Sequence, residues 1–372
     1  RSSDLVAKAA ADSGVAQKPL ADMAVYQEQL AARVDTSRLF MRLIMDKART
    51  CPLTMALPEG EDETVIRAAS IMREQGIAKP VLIGCKAIIE EKIKALGLED
   101  EGIDILDPCE QGSRLSSLID AYYFDRKRQG ILHQDAELAL SRDTNVLAAM
   151  MVKQGFADGM LSGRTAHYPT VLRPVLQVLG HNEGGHHYHV YGLYMMIMEK
   201  GAFFFCDTSV NVDMDAEQLA ELAVLAAETA ASLGFEPRVA MLSFSNFGSA
   251  PHSESRKVAD AVQLLHERHP DMVVDGEMQA DTALNPDLLA EYPFNHLKGA
   301  ANVLVFPTMQ AGNIAYKLVR DLGNGTAIGP ILLGLPKQAH VLQTGASADD
   351  IVNIAAIAAA RAADQHSESQ AG

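Results

Sequence analysis

The chain has 372 residues, 48% of them apolar, with a mean hydropathy of +0.01 and a net charge of −16. That length can bury two cores, and the composition excludes a disordered or membrane-bound chain. The negative charge argues against general nucleic-acid or anionic-membrane binding and leaves room only for a local basic pocket. Cys51, Cys85, Cys109 and Cys206 are scattered with no C-x-x-C pair, which reads as reduced structural thiols in a cytoplasmic protein. No run reaches about 18 apolar residues; the best, Tyr191 to Val210, is interrupted by Glu199 and Lys200. The chain opens on Arg1 without a secretory signal, so it reads as processed or excised from something longer.

Residues 1–36 do not read as the start of a domain. Leu5–Asp12 is Ala-rich, Ser13-Gly14 breaks it, and Pro19 opens a helix over about Leu20–Val34. From Leu53 onward strands and helices alternate. Leu53–Leu57 is a strand that runs into Pro58-Glu59-Gly60-Glu61-Asp62 and a helix from Val65 to Gln75, the acids suiting a helix N-terminal turn. Pro80–Ile83 and Ile103–Leu106 are the next strands. Such alternation implies a parallel sheet wrapped by helices. Arg126, Lys127 and Arg128 form a basic run that is either a solvated helix face or carries one side chain turned inward. Ala157–Leu161 ends a strand, Ser162-Gly163 is a turn, and Thr165, His167 and Thr170 precede a helix bearing Arg173. His181, His186, His187 and His189 crowd GHNEGGHHYH, but two glycines leave them without a fixed scaffold, which argues against a metal.

The second part opens near Tyr191. Gly201–Asp207 is a strand, and Asp213 and Asp215 are cap and first-turn acids of a long Ala/Leu-rich helix ending before Gly234. Arg238 to Val258 reads RVAMLSFSNFGSAPHSESRKV. Its strand Val239–Leu242 gives way to Ser243, Ser245, Asn246, Gly248, Ser249 and Ser253 and then to a helix start. Unpaired N–H groups and hydroxyls converge in such a turn, which is either an anion site or an ordinary Ser-capped loop. Then come a helix Val258–Arg268 and strands Met272–Asp275 and Asn302–Phe306. Asn313, Tyr316 and Lys317 follow on a helix start in PTMQAGNIAYKLV. Ala327–Leu335 is a strand run, and Asp349-Asp350 opens a final helix from Ile351 to about Ala363.

In this order, ALPEGED, the SG turn with its LRP-x-LQ helix, the SNFG turn and the GN-x-x-YK set resemble phosphate acetyltransferases over about residues 37–366. The SNFG form resembles the version of this domain fused to the C-terminus of bacterial NADP-dependent malic enzymes. VAKAAADSGVAQKPLADMAVYQEQL resembles the tail of the malic enzyme domain just before it, so 1–36 would be the end of that domain and a linker helix. The resemblance implies an α/β fold of the two-lobed phosphate acetyl/butyryl transferase type, like the isocitrate/isopropylmalate dehydrogenases, with parallel-rich sheets flanked by helices. One lobe would be 37–187 plus 334–366 and the other 188–333, with a cleft between them and at least a homodimer formed through the second lobes. It places Arg126 toward the coenzyme cleft and Arg173 on anionic substrate, where a guanidinium offers a planar fork of donors. Ser162, Thr165, His167, Ser245, Asn246, Gly248, Ser249, Asn313, Tyr316 and Lys317 would line the cleft. The HYPT segment departs from the family's small, threonine-rich text and would reshape the pocket floor.

Active members of the family read LSRG-C-S-x-x-D before the last helix. Their chemistry needs a carboxylate to take the proton of the CoA thiol, a serine donor for the oxyanion and an arginine for the phosphoryl group. This chain reads LQTGASADD, with Gln343 in place of the serine and Thr344 in place of the arginine; only Asp350 is kept. Losing one oxyanion donor typically costs about 3–4 kcal/mol of transition-state stabilisation. The expectation is therefore a regulatory module that binds acetyl-CoA or CoA, lacks a metal of its own, supports oligomerisation and inhibits an attached malic enzyme catalytic domain. NADP and a divalent metal would belong to that upstream domain. The alternatives are an active phosphate acetyltransferase and a scaffold that only drives oligomerisation.

Overall fold

The computed structural model describes residues 36–371 except 100, 111, 182–186 and 324. The expectations for residues 1–35 and for His186 lie outside the described residues.

The chain begins with α1 (Thr36–Ala48) and then builds a first sheet from β1 (Leu53–Leu57), β2 (Ala78–Ile83), β3 (Asp104–Leu106) and β4 (Gly159–Ser162). Helices α2 (Glu63–Glu74), α3 (Lys86–Ala95), α4 (Ser113–Arg126), α5 (His133–Arg142) and α6 (Thr144–Lys153) fill the connections. Helix α7 (Tyr168–Leu179) leads to β5 (Tyr191–Met198) and β6 (Gly201–Cys206) of a second sheet. That sheet continues through α8 (Ala216–Ser232), β7 (Val239–Leu242), α9 (Ser253–Arg268) and β8 (Val274–Met278). Two short helices, α10 (Ala280–Leu284) and α11 (Pro286–Leu289), precede β9 (Val303–Val305), α12 (Met309–Leu322) and β10 (Thr326–Leu333). Strand β11 (Gln338–Val341) returns to the first sheet, and α13 (Ala348–Ala371) closes the chain.

The first sheet has the order β11-β4-β1-β2-β3 and is wholly parallel. The second has the order β10-β5-β6-β9-β7-β8. Strand alternation with helices foretells an α/β fold, and the architecture is of that class. Three features differ from the expectation, the first being that Ser162, expected in a turn, ends strand β4. Residues 191–198 pair antiparallel with both β6 and β10, so half of the second sheet is antiparallel, a β5–β6 hairpin flanked by β10, rather than a set of parallel crossovers. The text YGLYMMIM is buried almost throughout, so it lacks the period-two alternation that marks a half-buried strand. Strand β8 also runs later than Met272–Asp275, because Gly276 and Met278 pair with Met241 and Leu242 of β7.

A shared core joins the sheets. Leu57 and Leu82 of the first sheet, Phe204 and Met241 of the second and Ile351, Val352 and Ile354–Ala360 of α13 belong to one hydrophobic cluster. Helix α13 packs on α1, α2 and β10, and its run of alanines lets these neighbours approach closely. Each fully buried Ile or Leu there contributes about 1.5–3 kcal/mol. Among the described residues no helix is long and apolar enough to cross a membrane.

Candidate functional site

The turns that follow β1, β4, β6 and β7 expose backbone N–H groups, as strand-to-helix turns do. In this chain they are met by carboxylates. Gly163 and Arg164 donate their N–H groups to Glu59 Oε2 at 2.9 Å each, and Thr165 donates its N–H to Oε1 at 2.8 Å and its hydroxyl at 2.5 Å. Asp62 caps α2 through Thr64 and Val65 and accepts Arg164 Nη1 at 2.7 Å, which fastens the two turns together. Pro58, Glu61, Lys92 and Thr144 complete an open cavity of about 700 Å³ beside this pair.

The SNFG turn is closed in the same way. Glu277 Oε1, from β8, accepts the Ser245 hydroxyl at 2.8 Å and the Gly248 N–H at 2.7 Å. Ser245 Oγ also accepts the Ala250 N–H, and the Asn246 side chain accepts the Gln279 N–H at 2.7 Å. Ser249 Oγ accepts the Asn246 N–H, so the turn holds itself. Gly248 has φ +86°, a region natural to glycine, while Phe247 adopts φ +47° and is locked by its bond to the Glu277 carbonyl. Asp207, fully buried after β6, accepts the N–H groups of Gly192, Ser209, Val210 and Asn211 and the Asn211 side chain.

A second cavity, of about 260 Å³, lies between the two sheets. It is lined by Tyr194, Arg320, Gln343, Thr344, Asp350 and backbone of β10. The amide of Gln343 donates to Tyr194 Oη at 2.5 Å and to Tyr316 Oη at 2.9 Å. The two tyrosine rings stack with centroids 4.1 Å apart. Burial and the neighbouring Tyr316 push the Tyr194 hydroxyl above its ordinary pKa, so it stays protonated and can donate in turn. Thr344 donates its hydroxyl to the Ala166 carbonyl at 3.0 Å. One carboxylate oxygen of Asp350 accepts both the N–H and the hydroxyl of Ser347, a capping arrangement at the start of α13. Arg320 is the cation on this cavity and is itself paired with Asp321 at 2.7 Å. Asn313 donates to the Thr208 carbonyl, which ties α12 to the turn after β6. Gly312 makes that approach necessary in its own right, since a Cβ there would lie 2.3 Å from the Asp207 carbonyl oxygen.

The sequence-marked residues thus fall into separate places. Gln343, Thr344 and Asp350 come together at the inter-sheet cavity, Tyr316 meets them through the Gln343 amide, and Asn313 lies apart on the turn after β6. Lys317 is exposed with its Nζ 5.8 Å from the Tyr316 ring centroid. Thr165 lies on the 700 Å³ cavity, and exposed His167 caps the start of α7 by backbone only. Ser162 is buried, its hydroxyl spent on Asn145 at 2.6 Å. Arg126 bonds the Gln177 carbonyl and stacks over Tyr122, on a third cavity with His181. Arg173 is exposed in a groove with Leu172, Leu176 and Tyr188. Asp215 caps α8 as its position suggests, whereas Asp213 reaches across to Lys257 at 3.0 Å. Glu59, Glu277, Arg164, Tyr194 and Arg320 were not singled out as site residues; the first four act on distant segments, which no local pattern marks, and Arg320 reaches the cavity only through the fold.

The comparisons agree with this architecture. Residues 39–359 match the family model for phosphate acetyl/butaryl transferase. The chain is 40% identical to an NADP-dependent malic enzyme of Escherichia coli (strain K12) over 97% of its length, spanning 48% of that relative. It thus spans about half the length of the malic enzymes it matches. It is 37% identical to a phosphate acetyltransferase of Bacillus subtilis (strain 168), covering 86% of this chain and 98% of that one. A phosphotransacetylase from Streptococcus pyogenes superposes with a TM-score of 0.81 at 35% identity, covering 88% of this chain and 99% of the other. On fold and sequence together, the chain belongs to the phosphate acetyl/butaryl transferase family and corresponds to the C-terminal region of NADP-dependent malic enzymes.

Proposed function

We propose that this chain is a non-catalytic, ligand-binding regulatory module of an NADP-dependent malic enzyme, which takes acetyl-CoA or CoA at the inter-sheet cavity. The observation that carries the reading is the occupation of the LQTGASADD segment. Gln343 has both amide bonds on tyrosines, Thr344 spends its hydroxyl on Ala166, and Asp350 holds Ser347. Acyl transfer to phosphate would need an oxyanion donor and a cation on the phosphoryl group at these positions. An uncharged amide and a threonine hydroxyl, both on exposed residues, suit a neutral thioester but cannot neutralise phosphate. The cavity of about 260 Å³ is smaller than the roughly 300–1,000 Å³ of whole-ligand sites, so it would take the acyl-thioester end and leave the nucleotide outside.

In the parent chain, malate oxidation with NADP and a divalent metal would take place upstream, and acetyl-CoA would act by preferring one arrangement of the oligomer over another. Assembly to at least a dimer is part of the same reading. The test is thiol release from acetyl-CoA in phosphate buffer, run beside the B. subtilis phosphate acetyltransferase. The expected result is no release above background, with acetyl-CoA binding seen by calorimetric titration and reduced malate oxidation by the parent enzyme. Release at a rate near that of the comparison enzyme overturns the non-catalytic reading, and absence of binding overturns the regulatory one.

A further inference from the structure

Far along the chain from the LQTGASADD segment, three side chains from three segments converge at the β8 end of the second sheet. His266 lies in the last turn of α9, Asp275 is in β8, and His296 is in the loop before β9. One ligand atom from each lies within 4.8 Å of the other two. His296 Nδ1 and His266 Nε2 are 3.1 Å apart, with the two rings edge-on at 4.6 Å between centroids. Tetrahedral coordination at zinc–nitrogen distances near 2.0–2.1 Å places neighbouring ligand atoms about 3.3 Å apart. The pair of nitrogens already has that separation.

The surroundings hold the donors in place. Asp275 is only 6% exposed, and its two carboxylate oxygens accept the backbone N–H groups of His296, at 2.6 Å, and Gly276, at 2.8 Å. Those bonds fix the carboxylate and the His296 backbone together and leave further lone pairs on each oxygen. His266 Nε2 also faces the Val274 carbonyl oxygen at 3.0 Å. Without a cation, one ring nitrogen must carry the proton that the facing pair shares, and His266 divides it between His296 and Val274. His296 is exposed, so the fourth side of the cluster opens to water.

We propose that His266, Asp275 and His296 form a binding site for a divalent transition cation of the Zn²⁺ class, with solvent completing the coordination. Two imidazoles and one carboxylate suit Zn²⁺, Co²⁺ or Ni²⁺ and disfavour Mg²⁺ and Ca²⁺, which prefer all-oxygen shells. Binding exchanges the His266 bond to Val274 for coordination and shifts that ring's proton from Nε2 to Nδ1, so a neutral imidazole faces the metal. The site ties the end of α9 to the loop before β9, a role separate from the inter-sheet cavity.

The experiment is a titration of the EDTA-stripped full chain with Co²⁺, followed by its visible absorption bands, and then competition with Zn²⁺. One equivalent should give bands of four- or five-coordinate Co²⁺ that Zn²⁺ removes. His296→Ala, at an exposed loop position, should weaken binding by about 100-fold or more, and His266→Gln should do the same. A His181→Ala/His187→Ala double variant should leave the titration unchanged. The proposal is overturned if the wild-type chain gives no saturable bands, or if His296→Ala with an unchanged metal-free melting temperature binds as well as wild type. Loss of the bands in the His181/His187 variant alone would assign the metal to that loop and overturn it equally.

Discussion

The turn at Gly163–Thr165 in the first sheet and the turn at Ser245–Ala250 in the second both wrap their donors round a carboxylate from another segment. In the first, Glu59 is half-buried, stands at the rim of a 700 Å³ cavity and has an arginine, Arg164, next to it. In the second, Glu277 is 3% exposed and is enclosed by the turn it serves. Both turns satisfy an anion-binding geometry internally. They differ in whether anything from solvent could replace the resident acid, and that difference separates a structural device from a potential ligand subsite.

The strongest way to break the comparison is Glu277→Ala. Two bonds to a buried carboxylate, each contributing about 1.5–3 kcal/mol, would be lost and the buried Ser245 hydroxyl left without its acceptor. A loss of about 3–5 kcal/mol in urea unfolding is expected, and added sulfate should not restore it. Glu59→Ala is expected to cost less, about 2–3 kcal/mol, because half-buried Glu59 and Arg164 and exposed Thr165 line an open cavity through which water can reach the freed donors of Arg164 and Thr165. Here phosphate or sulfate should raise the melting temperature selectively, occupying the N–H groups of Gly163, Arg164 and Thr165. Equal rescue of the two variants would erase the distinction.

His340 sharpens the comparison as a buried ionisable group beside a like charge, Arg361. Its ring is 1% exposed, accepts the Leu332 N–H through Nδ1, and is held near a pKa of about 3 by burial and by Arg361. The folded form is therefore neutral. Below the ordinary imidazole pKa of about 6.5 only the unfolded chain takes up the proton, so stability falls as pH drops from there toward 3. Between pH 7 and 5 this one group should cost about 2 kcal/mol. His340→Asn, which keeps an acceptor for Leu332 but cannot titrate, should flatten that part of the stability–pH curve; an unchanged slope would exclude His340 as its source. The smallest effect belongs to Gln343→Ala, about 1 kcal/mol from the lost tyrosine bonds. Thiol release by that variant should remain at background.

Much of the fold was legible locally. Short apolar runs such as Leu53–Leu57 and Val239–Leu242, ended by Gly, Ser and Asn, set the alternation of strand and helix, and Asp215 capped its helix where its type and position suggested. The succession of motifs along the chain indicates the family by itself. Residues 191–198 were harder, because a strand buried on both faces carries no alternation to read.

By itself, then, the sequence determined the α/β class, the family and the substitution of Gln343 and Thr344, since these depend on residue type and on order along the chain. Only the tertiary structure decided what those residues touch. Glu59 meets its turn across about a hundred positions and Gln343 reaches Tyr194 across 149. A donor-rich turn looks the same in sequence whether its anion comes from a ligand or from the chain itself. The three-dimensional path of the backbone, set by the shared core between the sheets, determines which carboxylate arrives there.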